Sequence, residues 1–314
     1  MTTQTERLII GINQYLIKTG IKKVLVTLSG GPDSILLAFL LRHSECEILA
    51  LHCNFKLRGE ESDRDQYFVE EFCRANRLPL RMKQFNVNRF IEENPGKSVE
   101  MACRELRYSW FHEIKEMDNY DRIATGHNAD DNIETFFLNM LRGSGTRGLK
   151  GMEADTGEIW RPLLSLHRDD ILRLLLSNSL DYITDSSNLE SDFRRNFLRN
   201  EVFPLLRSRW SGFNSAMDTT LAHIKKENRI IEEILSLSIP PVGSPLVEET
   251  IMKFPDPELL VRRYIDNLMP FKTTSAEILA AIKAAKPHER IWRLRNGSVV
   301  LRNGRLYLKP DINR

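Results

Sequence analysis

The amino-acid sequence predicts an α/β fold: a Rossmann-like parallel sheet with helices on both faces, followed by a smaller, mainly helical C-terminal domain that ends in a β-hairpin. Three observations carry this. From residue 22, short β-branched runs alternate with longer amphipathic stretches, the pattern of buried parallel strands joined by crossover helices. Past residue 142 the strand signals fade. Residues 291–309 then alternate again around Asn296-Gly297 and Asn303-Gly304, dipeptides that favour tight hairpin turns. At 314 residues the chain is too long for one ordinary core, and the change of character places a larger domain over 1–215 and a small α+β domain over 216–314.

Each element follows from its own pattern. Residues 24–28 (VLVTL) read as a buried strand, and the apolar run after Ser34 reads as the helix that follows it. Residues 47–53 are a second strand. Over 61–77 the apolar positions Phe68, Val69, Phe72 and Cys73 mark one helix face. A third strand is expected at 80–85, a helix at 101–117, a fourth strand at 121–125 and a helix at 129–142. A Gly-rich loop leads to a short helix at 168–179. Helices are expected at 223–238, 257–269 and 275–286, with the Pro/Gly break 239–245 between the first two.

Composition excludes several classes. Hydrophobic residues make up 41% and charged residues 28%, ordinary globular usage, and no apolar run approaches the roughly 20 residues of a membrane helix. The N-terminal residues show neither a basic cluster leading into an apolar stretch nor a cleavage site, so the expected location is the cytoplasm, with no membrane partner. Cys46, Cys53, Cys73 and Cys103 are far apart and form no C-x-x-C pair, which argues for ordinary buried thiols. The net charge of +2 is unevenly spread. Residues 288–314 carry seven Lys or Arg (Arg290, Arg293, Arg295, Arg302, Arg305, Lys309, Arg314) against Glu289 and Asp311, a net +5. Such a tail is either a polyanion-binding surface or a solvated face.

The chemistry concentrates after the first strand, at Ser29-Gly30-Gly31-Pro32-Asp33-Ser34. Glycines at the C-terminal end of a buried parallel strand allow a tight turn, and the next helix offers its positive end to an anion. No Gly-Lys-Ser/Thr is present, so this is not a Walker A loop. A carboxylate beside a phosphate cradle is repulsive unless it holds Mg²⁺ or polarises a reacting group; the other role for Asp33 is to cap the helix.

Ser29-Gly30-Gly31-x-Asp33-Ser34 resembles the loop of the N-type ATP pyrophosphatases, the PP-loop proteins. Further segments are similar to one branch, the tRNA(Ile)-lysidine synthetases: residues 51–65 (LHCNFKLRGEESDRD), Arg104 through Tyr108, residues 124–135 (ATGHNADDNIET), 141–152 (LRGSGTRGLKGM), Arg161-Pro162-Leu163-Leu164, and 185–188 (DSSN) with 194–206. Phe55 stands where that family often has histidine. The resemblance implies a ligase that uses ATP and Mg²⁺ to activate C2 of the wobble cytidine in the CAU-anticodon isoleucine tRNA, then attaches free L-lysine with release of AMP and pyrophosphate. A homodimer is compatible with it. The alternatives are a tRNA thiolase of the same superfamily, against which the missing C-x-x-C speaks, and a non-catalytic protein that binds ATP and tRNA.

Within that frame Ser29 to Ser34 and His127 are expected to bind the nucleotide, with Asp33 also on the metal. A metal-ligand role for His127 would need a second histidine at ligand spacing, which is lacking. Asp130 and Asp131 lie four and three residues before Glu134, which puts carboxylates on one helix side. They either hold lysine or Mg²⁺, or complement the helix dipole. Arg104 and Arg107 suit the charge that develops as pyrophosphate leaves. Gly143-x-Gly145-x-x-Gly148 follows a helix, so it is no dinucleotide fingerprint; with Arg142 and Arg147 it reads as a mobile loop closing on tRNA. Arg195 and Arg199 share a helical face and are assigned to tRNA phosphates.

Overall fold

The computed structural model describes residues 2–184, 194–241, 243–268, 274–284 and 289–311. The segment 185–188, the ends of the expected helices at 257–269 and 275–286, and Arg314 lie outside them. Two compact units are present, Met1–Ala222 and His223–Arg314.

The first unit opens with a helix absent from the expected set, α1 (Thr3–Thr19). Thr2 caps it by accepting from Thr5 N, Gly20 ends it at φ 72°, and Ile9, Ile12 and Leu16 form its buried stripe. There follow β1 (Lys23–Thr27), α2 (Pro32–Arg42), β2 (Glu47–Asn54), α3 (Glu60–Ala75), β3 (Leu80–Gln84), α4 (Val87–Glu93), α5 (Val99–Met117), β4 (Arg122–Ala124), α6 (Ala129–Leu141), α7 (Thr146–Leu149), β5 (Ile159–Trp160) and α8 (Arg168–Ser177). The five strands are parallel in the order β3-β2-β1-β4-β5. The fading of strand signals past residue 142 hid β5, because two residues are too few to show a period.

Alternation along the strands explains the helices on both faces. Val24, Val26, Ile48, Ala50 and Ala124 pack with α1, α2, α3 and α8, while Leu25, Leu49, Leu51 and Ile123 turn the other way, onto Trp110, Phe111 and Ile114 of α5. The middle of the sheet is covered on both faces while the edge strand β3 is exposed, and the loops after β1 and β4 meet at one end of the central strands.

Beyond the undescribed segment the chain forms α9 (Arg194–Phe197), a π-helical turn Leu198–Val202, α10 (Phe203–Arg209) and α11 (Phe213–Ser238). Pro204 has no N–H to give to the preceding turn, and the wide turn runs just before it. The expected helix at 223–238 therefore begins ten residues earlier, at Phe213.

In the second unit β6 (Leu246–Val247), α12 (Glu248–Lys253), α13 (Pro257–Tyr264), α14 (Thr274–Lys283), β7 (Arg290–Leu294), β8 (Gly297–Arg302) and β9 (Arg305–Pro310) surround their own core. The strands are antiparallel in the order β6-β9-β8-β7. Asn303 and Gly304, at φ 50° and 69°, make the turn expected of that pair. The other turn is shifted: Leu294 pairs with Gly297, so Arg295-Asn296 form the loop. Among the described residues no helix is long and apolar enough to cross a membrane.

Candidate active site

The loop after β1 is braced from within. Ser29 N donates to Ser34 Oγ (3.2 Å), the two hydroxyls are 3.1 Å apart, and Ser34 Oγ donates to the Gly31 carbonyl (2.9 Å). Gly30 sits at φ 91°, and a Cβ there would be 2.7 Å from Ile183 Cδ1. Gly31 is the N-cap of α2 and Pro32 opens the helix, and no side chain caps it. Its first amides are thus left for an anion. Asp33 is one residue inside the helix, so the capping role open to it in the sequence falls to Gly31.

The loop after β4 presses against this one. A Cβ on Gly126 would lie 3.1 Å from the Asp33 carbonyl carbon and 3.2 Å from Ser34 N, so any side chain there would press on the start of α2. Asn128, buried, donates from Nδ2 to Asp33 Oδ1 (2.9 Å). It also caps α6, accepting from Asp131 N (2.9 Å) while its own N–H donates to Asp131 Oδ2 (3.0 Å), a reciprocal capping box. Burial pushes the Asp33 carboxyl above its ordinary range; the Asn128 bond opposes this, Asp131 adds to it, and Arg168 and Arg199 oppose it.

The acids of α6 divide their work. Glu134 is fully buried and holds Arg199 through two bonds, Nε to Oε1 at 2.7 Å and Nη2 to Oε2 at 3.0 Å, with Arg195 Nε 3.1 Å from Oε2. Arg199 Nη2 also reaches Asp131 Oδ1 at 3.0 Å. Burial holds the Glu134 carboxyl above its ordinary range; the Arg199 bonds and charge and Arg195 oppose this, and Asp131 adds to it, while Glu134, Asp131 and Asp33 raise Arg199 against its own burial. The bidentate fork is the geometry of a charge-assisted pair. Asp130 points elsewhere: it accepts from Arg168 N (2.8 Å), pairs with Arg207, and faces His167 Nδ1 at 3.2 Å, whose Nε2 is 2.9 Å from Asp218. A cavity of about 60 Å³ is lined by Asn128, Asp130, Glu134, His167, Arg199 and Arg207, among others.

His127 accepts or donates at Nδ1 to Thr125 Oγ1 (2.7 Å). Burial pulls its imidazole down to about 4; Asp131 opposes this, and the positive charges of Arg161, Arg195 and Arg104 add to it. These three arginines with a neutral histidine form a cationic corner beside the loop. Asp131 links the two sides of this site, since its charge is felt at Asp33, at Glu134 and at His127, while Arg199 acts on Asp33 and Glu134, Arg195 on Glu134 and His127, and Arg104 on His127. Arg107 lies over the Phe55 ring at 5.3 Å and interacts with the Cys53 thiol. Arg142 and Arg147 are exposed. Their segment contains the short helix α7, and it is tied to α6 by Asn139 Nδ2 to the Gly148 carbonyl (2.7 Å) and, just beyond α7, by Met152 N to Asn132 Oδ1 (2.6 Å). Among the described residues no group of three or more His, Cys, Asp and Glu is arranged to hold a metal ion.

Asn128 and Arg161 entered the sequence reading only within similar segments, with no role of their own, and His167 did not enter it. The Asn-x-x-Asp spacing of a capping box was a readable signal for Asn128. Arg161 follows β5, and its Nε is buried without a hydrogen bond. The partners of His167 come from positions 130 and 218, and nothing local announces them.

A family model described as the PP-loop domain matches residues 4–206. The chain is 37% identical to a tRNA(Ile)-lysidine synthase from Bacteroides thetaiotaomicron over 82% of its own length and 60% of the relative's. It is 36% identical to one from Chlorobaculum tepidum over 72% of its own length and 68% of that protein's. It is 46% identical to one from Porphyromonas gingivalis over 61% and 42%. Among solved structures, a U34-tRNA thiolase from Methanococcus maripaludis superposes with a TM-score of 0.56 at 19% identity, covering 71% of this chain and 79% of that one. That likeness concerns the fold. The chain spans about three fifths or less of the length of the first of these synthases and of the Porphyromonas protein.

Proposed function

The chain belongs to the tRNA(Ile)-lysidine synthase family of PP-loop proteins, and from that membership we propose that it ligates free L-lysine to C2 of the wobble cytidine of the CAU-anticodon isoleucine tRNA. The observation that carries this reading is the uncapped start of α2, with Asp33 one residue inside it and the α6 acids and their arginines beside it.

ATP, when bound, supplies the AMP group that activates the C2 oxygen. The amides at the start of α2 and the loop Ser29–Ser34 hold its phosphates. Arg104, Arg161 and Arg195 stabilise the charge on the departing pyrophosphate, and the neutral His127 donates or accepts a hydrogen bond without adding charge. Asp33 is the residue that would hold Mg²⁺, which would neutralise charge on the nucleotide phosphates. Glu134, with both oxygens on arginine, anchors the cluster, and Asp130 is engaged by His167, Arg168 and Arg207. Asp131 is likewise engaged, with Oδ1 on Arg199 and Oδ2 on Asn128 N, but its charge is felt at both Asp33 and His127, and it is the acid assigned to meet the lysine ε-ammonium and take its proton. Once neutral, the amine attacks C2 and AMP leaves.

Incubation with ATP, Mg²⁺, the isoleucine tRNA and lysine tests this. Lysidine should form with release of AMP, and AMP release should require both lysine and tRNA. Asp33→Asn should fold normally and lose the activity by orders of magnitude. A thiolase or a non-catalytic binder would show no lysine dependence, and that result would sink the proposal.

A further inference from the structure

We infer that Asn128 is a positioning residue that sets the direction of the Asp33 carboxylate, holding one oxygen and leaving the other for the nucleotide side. The inference rests on the reading of Asp33 as a group that meets Mg-ATP. It starts from a constraint on the amide. Asn128 Oδ1 accepts from Asp131 N, so the planar amide has only its Nδ2 to offer elsewhere, and that atom donates to Asp33 Oδ1 at 2.9 Å. The orientation of the amide is therefore set by the cap.

The holder is itself held. Asn128 is 2% exposed, its N–H is fixed to Asp131 Oδ2, and Asp131 Oδ1 is tied through Arg199 to the buried Glu134. The line Glu134–Arg199–Asp131–Asn128–Asp33 thus runs from a buried ion pair to the loop after β1, with every link between 2.7 and 3.0 Å. Ordinary capping needs only the oxygen of Asn128. The use of its second polar atom to bridge two loops 95 positions apart is additional. Among the described residues Asn128 supplies the one hydrogen bond to Asp33, and the charged groups felt there are Asp131, Arg168 and Arg199. Burial favours protonation of Asp33, and Asn128 opposes it.

Asn128→Ser separates the two roles, because serine caps as well as asparagine but is too short to reach Asp33. Asn128→Asp keeps the cap and places an oxygen where the donor was. Asn128→Ser should melt close to the parent, whereas Asn128→Asp, which adds a buried carboxyl between Asp33 and Asp131, should melt lower. Mg-ATP binding, measured by calorimetry without tRNA or lysine, should weaken roughly tenfold or more in Asn128→Ser, as expected when a charge-assisted contact is misaligned, while ATP binding in the presence of EDTA changes little. AMP release should fall by a similar factor, while the KM for lysine stays the same. Weakened Mg-ATP binding in a protein that makes no lysidine would retire the lysidine reading and leave the role of Asn128 standing. Mg-ATP binding and AMP release equal to the parent's in both variants would overturn the inference even if the parent makes lysidine.

Discussion

Glu134 is a carboxylate with no solvent exposure, held between two arginines, and it sets the energetics around the site. A buried ion pair adds little net stability once desolvation is counted, yet breaking one partner leaves an uncompensated charge. Arg199→Met should therefore destabilise the protein by about 3–5 kcal/mol, measured by urea denaturation. The double variant Arg199→Met with Glu134→Leu should recover a large part of the loss, since it removes the orphaned charge. Equal instability in the single and double variants would mean that the fork contributes through packing alone. Arg195 and Arg199, the residues assigned to tRNA phosphates, both face Glu134, and Arg195 keeps 42% of its side chain exposed.

At the scale of elements, the joint between α8 and α11 turns on one imidazole. Both ring nitrogens of His167 lie against carboxylate oxygens, of Asp130 and of Asp218, and both can donate only when the ring is protonated. Burial lowers the pKa of His167, but the two carboxylates outweigh it and the net shift is upward. The sign follows: with the folded pKa above the unfolded value, the stabilisation is fully present below the unfolded pKa and is lost as pH rises through the folded one. Stability measured by denaturant titration across the histidine range should fall on the alkaline side. His167→Gln should flatten that slope, and a slope unchanged in the variant would assign it to other groups. The aromatic contacts Phe137–Phe203 and Phe203–Phe213, with ring centroids 5.2 and 5.9 Å apart, join α6, α10 and the start of α11 independently of pH.

Across the whole molecule, the two units present different surfaces. The sheet of the second unit turns Val299, Leu301, Leu306 and Leu308 to its core. By alternation its opposite face carries Arg293, Arg302, Arg305 and Lys309, all exposed, with Ser298 paired to both Arg293 and Lys309. We propose this face as a contact for tRNA phosphates. Replacing the four residues with alanine should weaken tRNA binding and lower the slope of log affinity against log salt by roughly one unit per lost contact, with ATP affinity unchanged. An identical slope in the variant and the parent would make the face merely solvated.

How much of this was legible beforehand varies with how local the cause is. The parallel sheet was readable because Val24 to Leu28 and residues 47–53 carry their own period, and the loop was readable because Gly30, Gly31 and Asp33 are consecutive. Asn303-Gly304 likewise specified its own turn. The helix α1 and the two-residue β5 were missed, the second because a pair of residues holds no period. What only the tertiary structure decided is which charges meet. From spacing alone Asp130, Asp131 and Glu134 formed one group, but the path of the chain after β5 brings His167, Arg168 and Arg207 to Asp130, and Arg195 and Arg199 to Glu134, so neighbours in sequence have different partners. Helical periodicity fixes the face a side chain leaves from, whereas its partner is fixed by packing between segments tens of residues apart.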